Sequence, residues 1–276
     1  MDPIARTAFY CCGVRAADAA SPRPICGDHL AARFMDDEAR AVFARFARFR
    51  GPNLSNAARH RLVDDLLRAH LARHPDGLIV LLGAGFDTRA FRLPGGRWVE
   101  LDQPALLARK EHALPADTAP SPLQRVGIDF ATQDLAGVLA PWAGHETAVV
   151  VLEGVSMYLT DAAFAATARA LHAVLPGHTL LCDLMDARFA RRYGGGLRRA
   201  IRALGGDFAP DRADPAAFVE SLGYASRSVA SIPARAVEHG TLGIPRWLFN
   251  TLLRSLRDGY RLHGFEARRS PASPSA

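Results

Sequence analysis

Apolar residues in the first 75 positions recur at helical spacing. One such segment runs from Glu38 to Arg50, with arginines on its opposite side. A second helix is predicted from Ser55 or Asn56, since either side chain can cap it, and Pro75-Asp76-Gly77 ends it. The apolar stripes are Val42, Phe43, Phe46 and Phe49 in the first helix, and Leu62, Val63, Leu66, Leu67 and Leu71 in the second. Residues 1–75 are therefore predicted to form a helical lid or cap, whose aromatic face is either core or the lining of an apolar pocket.

The pattern changes at residue 76, where short aliphatic runs begin to alternate with helical segments. Such runs suit strands that are buried on both faces, as in a parallel α/β sheet. Strands are predicted at Leu78–Leu82, Arg97–Asp102, Leu123–Asp129, Ala148–Leu152 and Thr179–Asp183, with Tyr224–Val229 as an antiparallel edge strand. Helices are predicted at Pro104–Leu114, after Thr160, and at Pro215–Leu222. Residues 76–267 are therefore predicted to form one α/β domain with a mostly parallel sheet, a helical insertion near 187–214 and a disordered tail at 268–276.

A glycine-rich turn, Gly83-Ala84-Gly85, follows the first predicted strand. Glycines let the backbone turn sharply and let a ligand approach closely. A dinucleotide fingerprint would need a third glycine where this chain has Thr88, and Asp87 places a negative charge where phosphate oxygens would lie. The turn is therefore predicted to bind a cofactor without phosphate. Asp102 ends the next strand, where nucleotide-binding α/β folds keep a ribose-binding acid, and Glu100 on the same face is the alternative.

Composition and charge narrow the class of protein. A chain of 276 residues with 49% hydrophobic content can bury one sizeable core. No apolar run reaches the roughly 18 residues of a membrane span, and the N-terminus lacks a signal-peptide pattern, so a cytoplasmic protein without membrane contact is expected. The excess of 34 basic over 28 acidic residues is small and dispersed, so nucleic-acid binding is not expected, and an anionic small substrate fits the charge equally well. The four cysteines lack metal-ligand spacing, so neither a metal nor disulfides are expected. Monomer and homodimer both remain open.

Three segments in the same order resemble a known family. They are LGAGFDTRAFRL (Leu82 to Leu93), VELDQPALLARK (Val99 to Lys110) and LEGVSMYL (Leu152 to Leu159). The chain resembles the leucine carboxyl methyltransferase family, and in particular its bacterial branch of S-adenosylmethionine-dependent O-methyltransferases, which includes the tetracenomycin-type polyketide carboxyl methyltransferases. The resemblance implies a Rossmann-like class I methyltransferase fold and S-adenosylmethionine as cofactor.

The resemblance also implies roles for individual residues. Arg59 would clamp the cofactor carboxylate, with Arg6 as a candidate second contact, and Glu153 would meet the methionine moiety. The implied cofactor site is completed by Gly83, Ala84, Gly85, Asp87, Asp102, Gln103, Asp129 and Phe130, with Asp129 and Phe130 bracketing the adenine. Catalytic roles are assigned to Glu153 and Tyr158. Three alternatives stay open: Asp87 as a cap of the following helix, Glu153 as a helix-entry acid, and Tyr158 as a core residue.

The implied reaction is an in-line attack of a substrate oxygen on a sulfonium methyl group. A carboxylate acceptor is already ionised at neutral pH, whereas a phenol needs a base, and the sequence offers no clear base. The expected function is therefore methyl-ester formation on a small natural-product or polyketide-like acid, with Arg89, Arg191 or Arg192 as candidates to steer the anion. The alternatives are a phenolic or hydroxyl O-methyltransferase, a nicotinamide-dependent oxidoreductase and a noncatalytic cofactor-binding protein.

Overall fold

The run Leu78–Leu82 forms β1, a central strand of a seven-stranded sheet in the computed structural model, which describes residues 3–130, 132–145, 147–206, 208–239 and 246–268. The other strands are β2 (Arg97–Asp102), β3 (Leu123–Gly127), β4 (Val149–Leu152), β5 (Thr179–Met185), β6 (Tyr224–Ser231) and β7 (Tyr260–Ala267). Their order is β3-β2-β1-β4-β5-β7-β6. The first five strands are parallel, and β7 and β6 are antiparallel additions at one edge. The predicted class of fold is confirmed.

Helices cover both faces of this sheet. The N-terminal part contains α1 (Pro3–Ala19), a 3-10 helix (His29–Phe34), α2 (Asp37–Ala44) and α3 (Arg50–Leu71). The helices that follow β1 to β5 are α4 (Arg89–Arg92), α5 (Pro104–Ala113), α6 (Leu135–Leu139), α7 (Asp161–Val174), α8 (Ala187–Tyr193) and α9 (Gly195–Arg202). The remaining helices are α10 (Pro215–Ser221), α11 (Ile232–Glu238), α12 (Arg246–Asn250) and α13 (Arg254–Asp258). Short 3-10 turns lie at Ala116–Thr118, Ala140–Trp142 and Ser156–Tyr158.

Alternate side chains of β1 enter two separate cores. Leu78, Val80 and Leu82 pack with residues of α6, α7 and α10, whereas Ile79 and Leu81 pack with residues of α1, α3 and α11. All five side chains are buried, because successive residues of a strand point to opposite faces and both faces are covered. The prediction that this uninterrupted aliphatic run is buried on both faces is therefore confirmed.

The predicted helix from Glu38 to Arg50 is wrong in its second half. Helix α2 ends at Ala44, and α3 begins at Arg50, earlier than the predicted start at Ser55 or Asn56. The intervening turn places the buried ring of Phe46 4.5 Å from the ring of Tyr10. Asn53 stabilises the turn by donating a hydrogen bond to the Phe46 carbonyl oxygen at 3.1 Å. Contacts between helices thus override the local helical pattern.

Strand β7 separates the predicted edge strand from β5 and is not among the strands that the sequence predicts. Gly264 interrupts its apolar pattern, but a Cβ atom there would lie 2.5 Å from Ser228 Oγ of β6. The register between β6 and β7 shifts at Ser226/Ser228, so a β-bulge brings the two strands close at this glycine. The antiparallel edge strand itself is confirmed as β6.

Helix α1 lies over the glycine turn. Its Arg15 donates from Nη2 to the carbonyl oxygen of Phe86 at 2.7 Å, and its Ala8 lies next to Gly85. The predicted insertion contains α8 and α9, and residues 269–276 of the predicted tail lie outside the described residues. All four cysteines are free. In the described ranges, no helix combines the length and the apolar character that crossing a membrane requires.

Candidate cofactor site

The glycine turn is held against the end of β2. The backbone N–H groups of Gly83 and Ala84 both donate to the carbonyl oxygen of Leu101, at 2.9 and 3.0 Å. Gly83 and Gly85 have φ angles of +71° and +50°, which side chains disfavour. A Cβ atom on Gly83 would also lie 2.6 Å from a methyl carbon of Val155. Position 83 therefore requires glycine, because the positive φ angle disfavours a side chain and Val155 leaves no room for one.

Asp102 is fixed by this turn. Its Oδ2 accepts from the Gly85 N–H and its Oδ1 from the Gln103 N–H, both at 2.7 Å. Burial raises the pKa of this carboxyl group. Each carboxylate oxygen retains a second acceptor position, so the pair can accept both hydroxyl protons of a ribose diol. The alternative acid, Glu100, is excluded because it is fully buried and pairs with Lys110 at 2.8 Å and Arg125 at 3.0 Å.

Asp129 and Phe130 follow β3 at the same edge of the sheet. The chain there is joined to β2 by a hydrogen bond from the Ile128 N–H to the Asp102 carbonyl oxygen at 3.0 Å. Asp129 accepts a hydrogen bond from Thr132 Oγ1 at 2.8 Å. The Phe130 side chain is 43% exposed, which is unusual for a large apolar residue. This exposed ring offers a flat apolar surface on which a base could stack, and the adenine roles of Asp129 and Phe130 stay predictions.

Arg59 of α3 is buried at the opposite end of the site. Its Nε donates to Glu153 Oε1 at 3.1 Å, and its Nη1 donates to Asp183 Oδ2 at 3.2 Å and to the Tyr260 hydroxyl at 2.7 Å. In the described part of the chain, Nη2 has no hydrogen-bond partner. A Cβ atom on Gly154 would lie 2.8 Å from this Nη2. The glycine thus leaves an approach to a guanidinium donor that can bind a carboxylate.

Asp183 and Tyr260 both contact Arg59, and neither is among the candidate residues that the sequence predicts. Asp183 also accepts from the Gly154 N–H at 2.6 Å and from the Tyr260 hydroxyl at 2.7 Å. The signal for Asp183 was its position at the end of a predicted strand beside that of Glu153. No local signal marks Tyr260, because β7 itself was not predicted.

Arg89 forms buried ion pairs with both Glu153 and Asp87. Its Nη2 donates to Glu153 Oε2 at 2.7 Å, its Nε donates to Asp64 Oδ1 at 2.6 Å, and its Nη1 pairs with Asp87. The guanidinium of Arg89 is the main charge that holds the pKa of Glu153 well below its ordinary value against the effect of burial. Glu153 therefore stays ionised and is poorly suited to accept a proton. Its assigned catalytic and cofactor-binding roles stay predictions.

The geometry overturns the expectation for Arg89 and bears on those for Asp87 and Arg6. Arg89 cannot steer a substrate anion, because its side chain is fully buried among carboxylates. Asp87 accepts from the Arg89 backbone N–H at 2.7 Å, which supports its interpretation as a cap at the start of α4, while its cofactor role stays a prediction. Arg6 forms an exposed ion pair with Glu38 at 3.8 Å.

Among the described residues, His60, Asp87 and Glu153 place possible metal-ligand atoms within 4.8 Å of one another. The guanidinium of Arg89 lies among them, with Nη2 2.7 Å from His60 Nδ1. Burial and the charge of Arg89 lower the pKa of His60, so its imidazole is neutral. The arginine thus supplies the positive charge that a metal ion would otherwise bring to this cluster.

Tyr158 lies half-buried at the end of the 3-10 turn after β4. Its ring stacks on Phe208, with centroids 5.1 Å apart, and burial raises its pKa. Its hydroxyl group is therefore neutral at physiological pH and acts as a donor rather than a base. Arg191 and Arg192, the other steering candidates, are exposed on α8. Their roles and that of Tyr158 stay predictions.

The fold and the site together define the class. A mostly parallel sheet carries a glycine turn, an acid that the turn fixes at the end of β2, and a buried arginine with an available donor. These are the features of a Rossmann-like S-adenosylmethionine-dependent methyltransferase. Residues 8–172 match the family model described as leucine carboxyl methyltransferase, and the chain belongs to that family.

Curated relatives and solved structures agree with this assignment. The chain is 27% identical over 203 residues to the tetracenomycin polyketide synthesis O-methyltransferase TcmP of Streptomyces glaucescens, covering 70% of each chain. It is 33% identical over 171 residues to a putative S-adenosyl-L-methionine-dependent methyltransferase of Frankia alni, covering 55% of this chain and 58% of that one. A DUF574 family protein from Streptomyces avermitilis has a similar fold, with a TM-score of 0.58 at 16% identity over 94% of this chain and 97% of that chain.

Magnesium protoporphyrin IX methyltransferase from Synechocystis, solved with bound S-adenosylhomocysteine, has a similar fold as well. Its TM-score is 0.50 at 14% identity, over 83% of this chain and 94% of that chain. The resemblance stated from the three sequence segments is confirmed.

Proposed function

We propose that this protein transfers the methyl group of S-adenosylmethionine to the carboxylate of a small natural-product or polyketide-like acid. The cofactor supplies an electrophilic methyl group on a sulfonium. A carboxylate oxygen forms the new bond to the methyl carbon, and the electron pair of the carbon–sulfur bond stays on sulfur. A methyl ester and S-adenosylhomocysteine result, and no proton is transferred.

The proposal is carried by the protonation states of the groups around the site. Glu153 is held ionised by two guanidinium groups, and burial keeps the phenol of Tyr158 protonated. His60 is fully buried, with each ring nitrogen 2.7 Å from a guanidinium nitrogen, of Arg89 or of Arg92. None of these three groups suits the role of a general base. A phenol with a pKa near 10 would need such a base, whereas a carboxylate with a pKa around 4 would not.

The names of similar proteins support the same choice. The description of the family names a carboxyl group as the methyl acceptor. The name of the Streptomyces glaucescens relative refers to tetracenomycin polyketide synthesis. In this interpretation, the protein accelerates methyl transfer mainly by positioning the cofactor and the acceptor. Arg59 and Asp102 would hold the two ends of the cofactor, while α1 and Tyr158 would exclude water from the reacting groups.

The test uses a methyl donor with a tritiated methyl group and pairs of aromatic acids and phenols of the same ring size. Methyl esters release tritiated methanol in mild base, whereas aryl methyl ethers do not. We expect base-labile product from acids only, with kcat nearly constant between about pH 6 and pH 9 because the acceptor is ionised throughout. Base-stable product from the phenols, with a rate that rises with pH, would instead identify a phenolic O-methyltransferase.

A further inference from the structure

A second concave site lies between the end of α2 and helix α9. It is a cavity of about 310 Å³. Its lining consists of Arg45, Arg48, Phe49, Gly196, Arg199, Ala200 and Ala203. We call it the arginine pocket. Three of the seven lining residues are arginines and none is acidic, and the pocket shares no residue with the cofactor site described above.

The arginine pocket carries uncompensated positive charge. Arg199 is exposed, and no described residue pairs with it or accepts a hydrogen bond from it. The guanidinium of Arg48 lies over the Phe49 ring at 5.0 Å from its centroid, without a carboxylate partner in the described ranges. Neighbouring Arg198, by contrast, pairs with Asp211. Of the three arginines that line the pocket, Arg48 and Arg199 therefore have no acidic partner among the described residues.

The position of one wall is fixed by backbone and side-chain contacts. Arg45 donates from Nη2 to the Ala203 carbonyl oxygen at 3.4 Å, which joins the end of α2 to the end of α9. A Cβ atom on Gly196 would lie 3.2 Å from Phe49 Cε1, so glycine lets the aromatic ring pack against α9. Ala200 and Ala203 add only methyl groups. Phe49 and the two alanines therefore form an apolar wall beside the guanidinium groups of Arg48 and Arg199.

We propose that the arginine pocket binds a planar organic carboxylate, with its charged end on Arg48 and Arg199 and its flat ring against Phe49. Guanidinium groups bind carboxylates through paired hydrogen bonds, and they stack on aromatic rings. A volume of about 310 Å³ lies at the small end of ligand pockets and suits one or two fused rings. This site is additional to the proposed methyl transfer, and its occupancy does not depend on turnover.

The experiment measures binding of naphthalene carboxylate by calorimetry in the presence of saturating S-adenosylhomocysteine, so that the cofactor edge is filled. We expect Arg48→Ala and Arg199→Ala each to weaken binding by about tenfold, the scale of one charge-assisted hydrogen bond. Arg199→Lys should retain part of the affinity. The matched control is Arg188→Ala, which removes an exposed arginine of α8 outside the pocket and should leave binding unchanged.

Naphthalenemethanol, which has the ring without the charge, should bind at least about tenfold more weakly than the carboxylate. The proposal fails if the wild-type protein does not bind the carboxylate, if the neutral alcohol binds equally well, or if Arg199→Ala binds like the wild type. Equal losses in Arg188→Ala and Arg199→Ala would also overturn it, because they would indicate diffuse attraction to surface charge. Thermal melting of each variant confirms that the fold is retained.

Discussion

Arg89 Nη2 and Glu153 Oε2 lie 2.7 Å apart, although 64 positions separate the two residues in the sequence. This contact joins the helix after the glycine turn to the loop after β4. Because the same guanidinium also reaches Asp64 of α3, three parts of the chain meet on one buried side chain. Glu153 in turn pairs with Arg59. The walls of the cofactor site are therefore held by charge pairs rather than by apolar packing alone.

Replacing Arg89 with methionine should strongly destabilise the fold. The substitution retains much of the side-chain volume but leaves Asp64, Asp87 and Glu153 without a shared partner. Removing one member of a buried ion-pair network costs about 3–5 kcal/mol. Urea unfolding measures this change. The control is Arg97→Met on the exposed start of β2, which should stay within about 0.5 kcal/mol of the wild type. Similar small effects in both variants would contradict the role of Arg89.

Asp102→Ala should remove the stabilisation that the cofactor gives. S-adenosylmethionine and S-adenosylhomocysteine should raise the melting temperature of the wild-type protein, and NADH should not. The shift should vanish in Asp102→Ala, because the variant lacks the carboxylate fixed by Gly85 and Gln103 for the ribose hydroxyls. Asp117→Ala, an exposed control, should keep the full shift. An undiminished shift in Asp102→Ala would place the ribose elsewhere.

Gly83→Ala should destabilise the protein and abolish cofactor binding. The φ angle of +71° disfavours any side chain, and the new methyl group would collide with Val155. We expect a loss of more than about 1 kcal/mol in the free energy of unfolding. Gly195→Ala is the matched control at the start of α9, where a Cβ atom meets nothing within 4 Å, and it should be neutral or slightly stabilising. Equal behaviour of the two variants would refute this account of the turn.

Stability should fall as the pH drops from 7 to 5, partly because of His178. This side chain is fully buried, with Nδ1 2.8 Å from the Leu175 carbonyl oxygen and Nε2 2.9 Å from the Tyr224 hydroxyl. Burial lowers its pKa to about 4, whereas the unfolded chain titrates near 6.5. The unfolded state therefore binds more protons below pH 6.5, and the stability that His178 contributes is lost as the pH falls from there toward 4.

Urea unfolding at pH 7 and pH 5 tests this linkage. The His178 contribution to the difference is roughly 2 kcal/mol. His178→Gln should show a smaller difference between the two pH values than the wild type. His112→Gln, which replaces an exposed histidine of α5, should retain the wild-type difference. A pH dependence that is unchanged in His178→Gln would assign the effect to other groups.

The strands of the parallel sheet could be predicted because their signal is local. Leu78–Leu82 is buried on both faces, and such burial requires an unbroken aliphatic run that is visible in the sequence. Asp102 could be predicted for a similar reason, since the carboxyl end of β2 lies beside the glycine turn in any sheet of this topology. Both signals can be identified in the sequence even when the residues that contact them in the fold are not known.

Other elements depended on contacts that no local pattern records. Strand β7 contains Gly264, which weakens a strand signal but is needed where the bulge of β6 comes close. The break between α2 and α3 follows the packing of Phe46 on Tyr10. In the same way, Tyr260 reaches Arg59 only because β7 returns from 201 residues further along the chain.

The sequence by itself determined the class of fold, the glycine turn, the position of Asp102 at the end of β2, and the family. These depend on short-range patterns, such as an aliphatic run, a glycine or an acid at the end of a strand. Only the tertiary structure decided which charged residues are buried partners and which remain available to a ligand. Arg89 and Arg199 are the same residue type in the sequence. The first is surrounded by the neighbouring Asp87 and by two carboxylates from distant segments, those of Asp64 and Glu153, whereas no carboxylate of the described residues pairs with the second. Charge pairing over long sequence separations is a property of the folded chain, because folding alone brings the partners within hydrogen-bond distance.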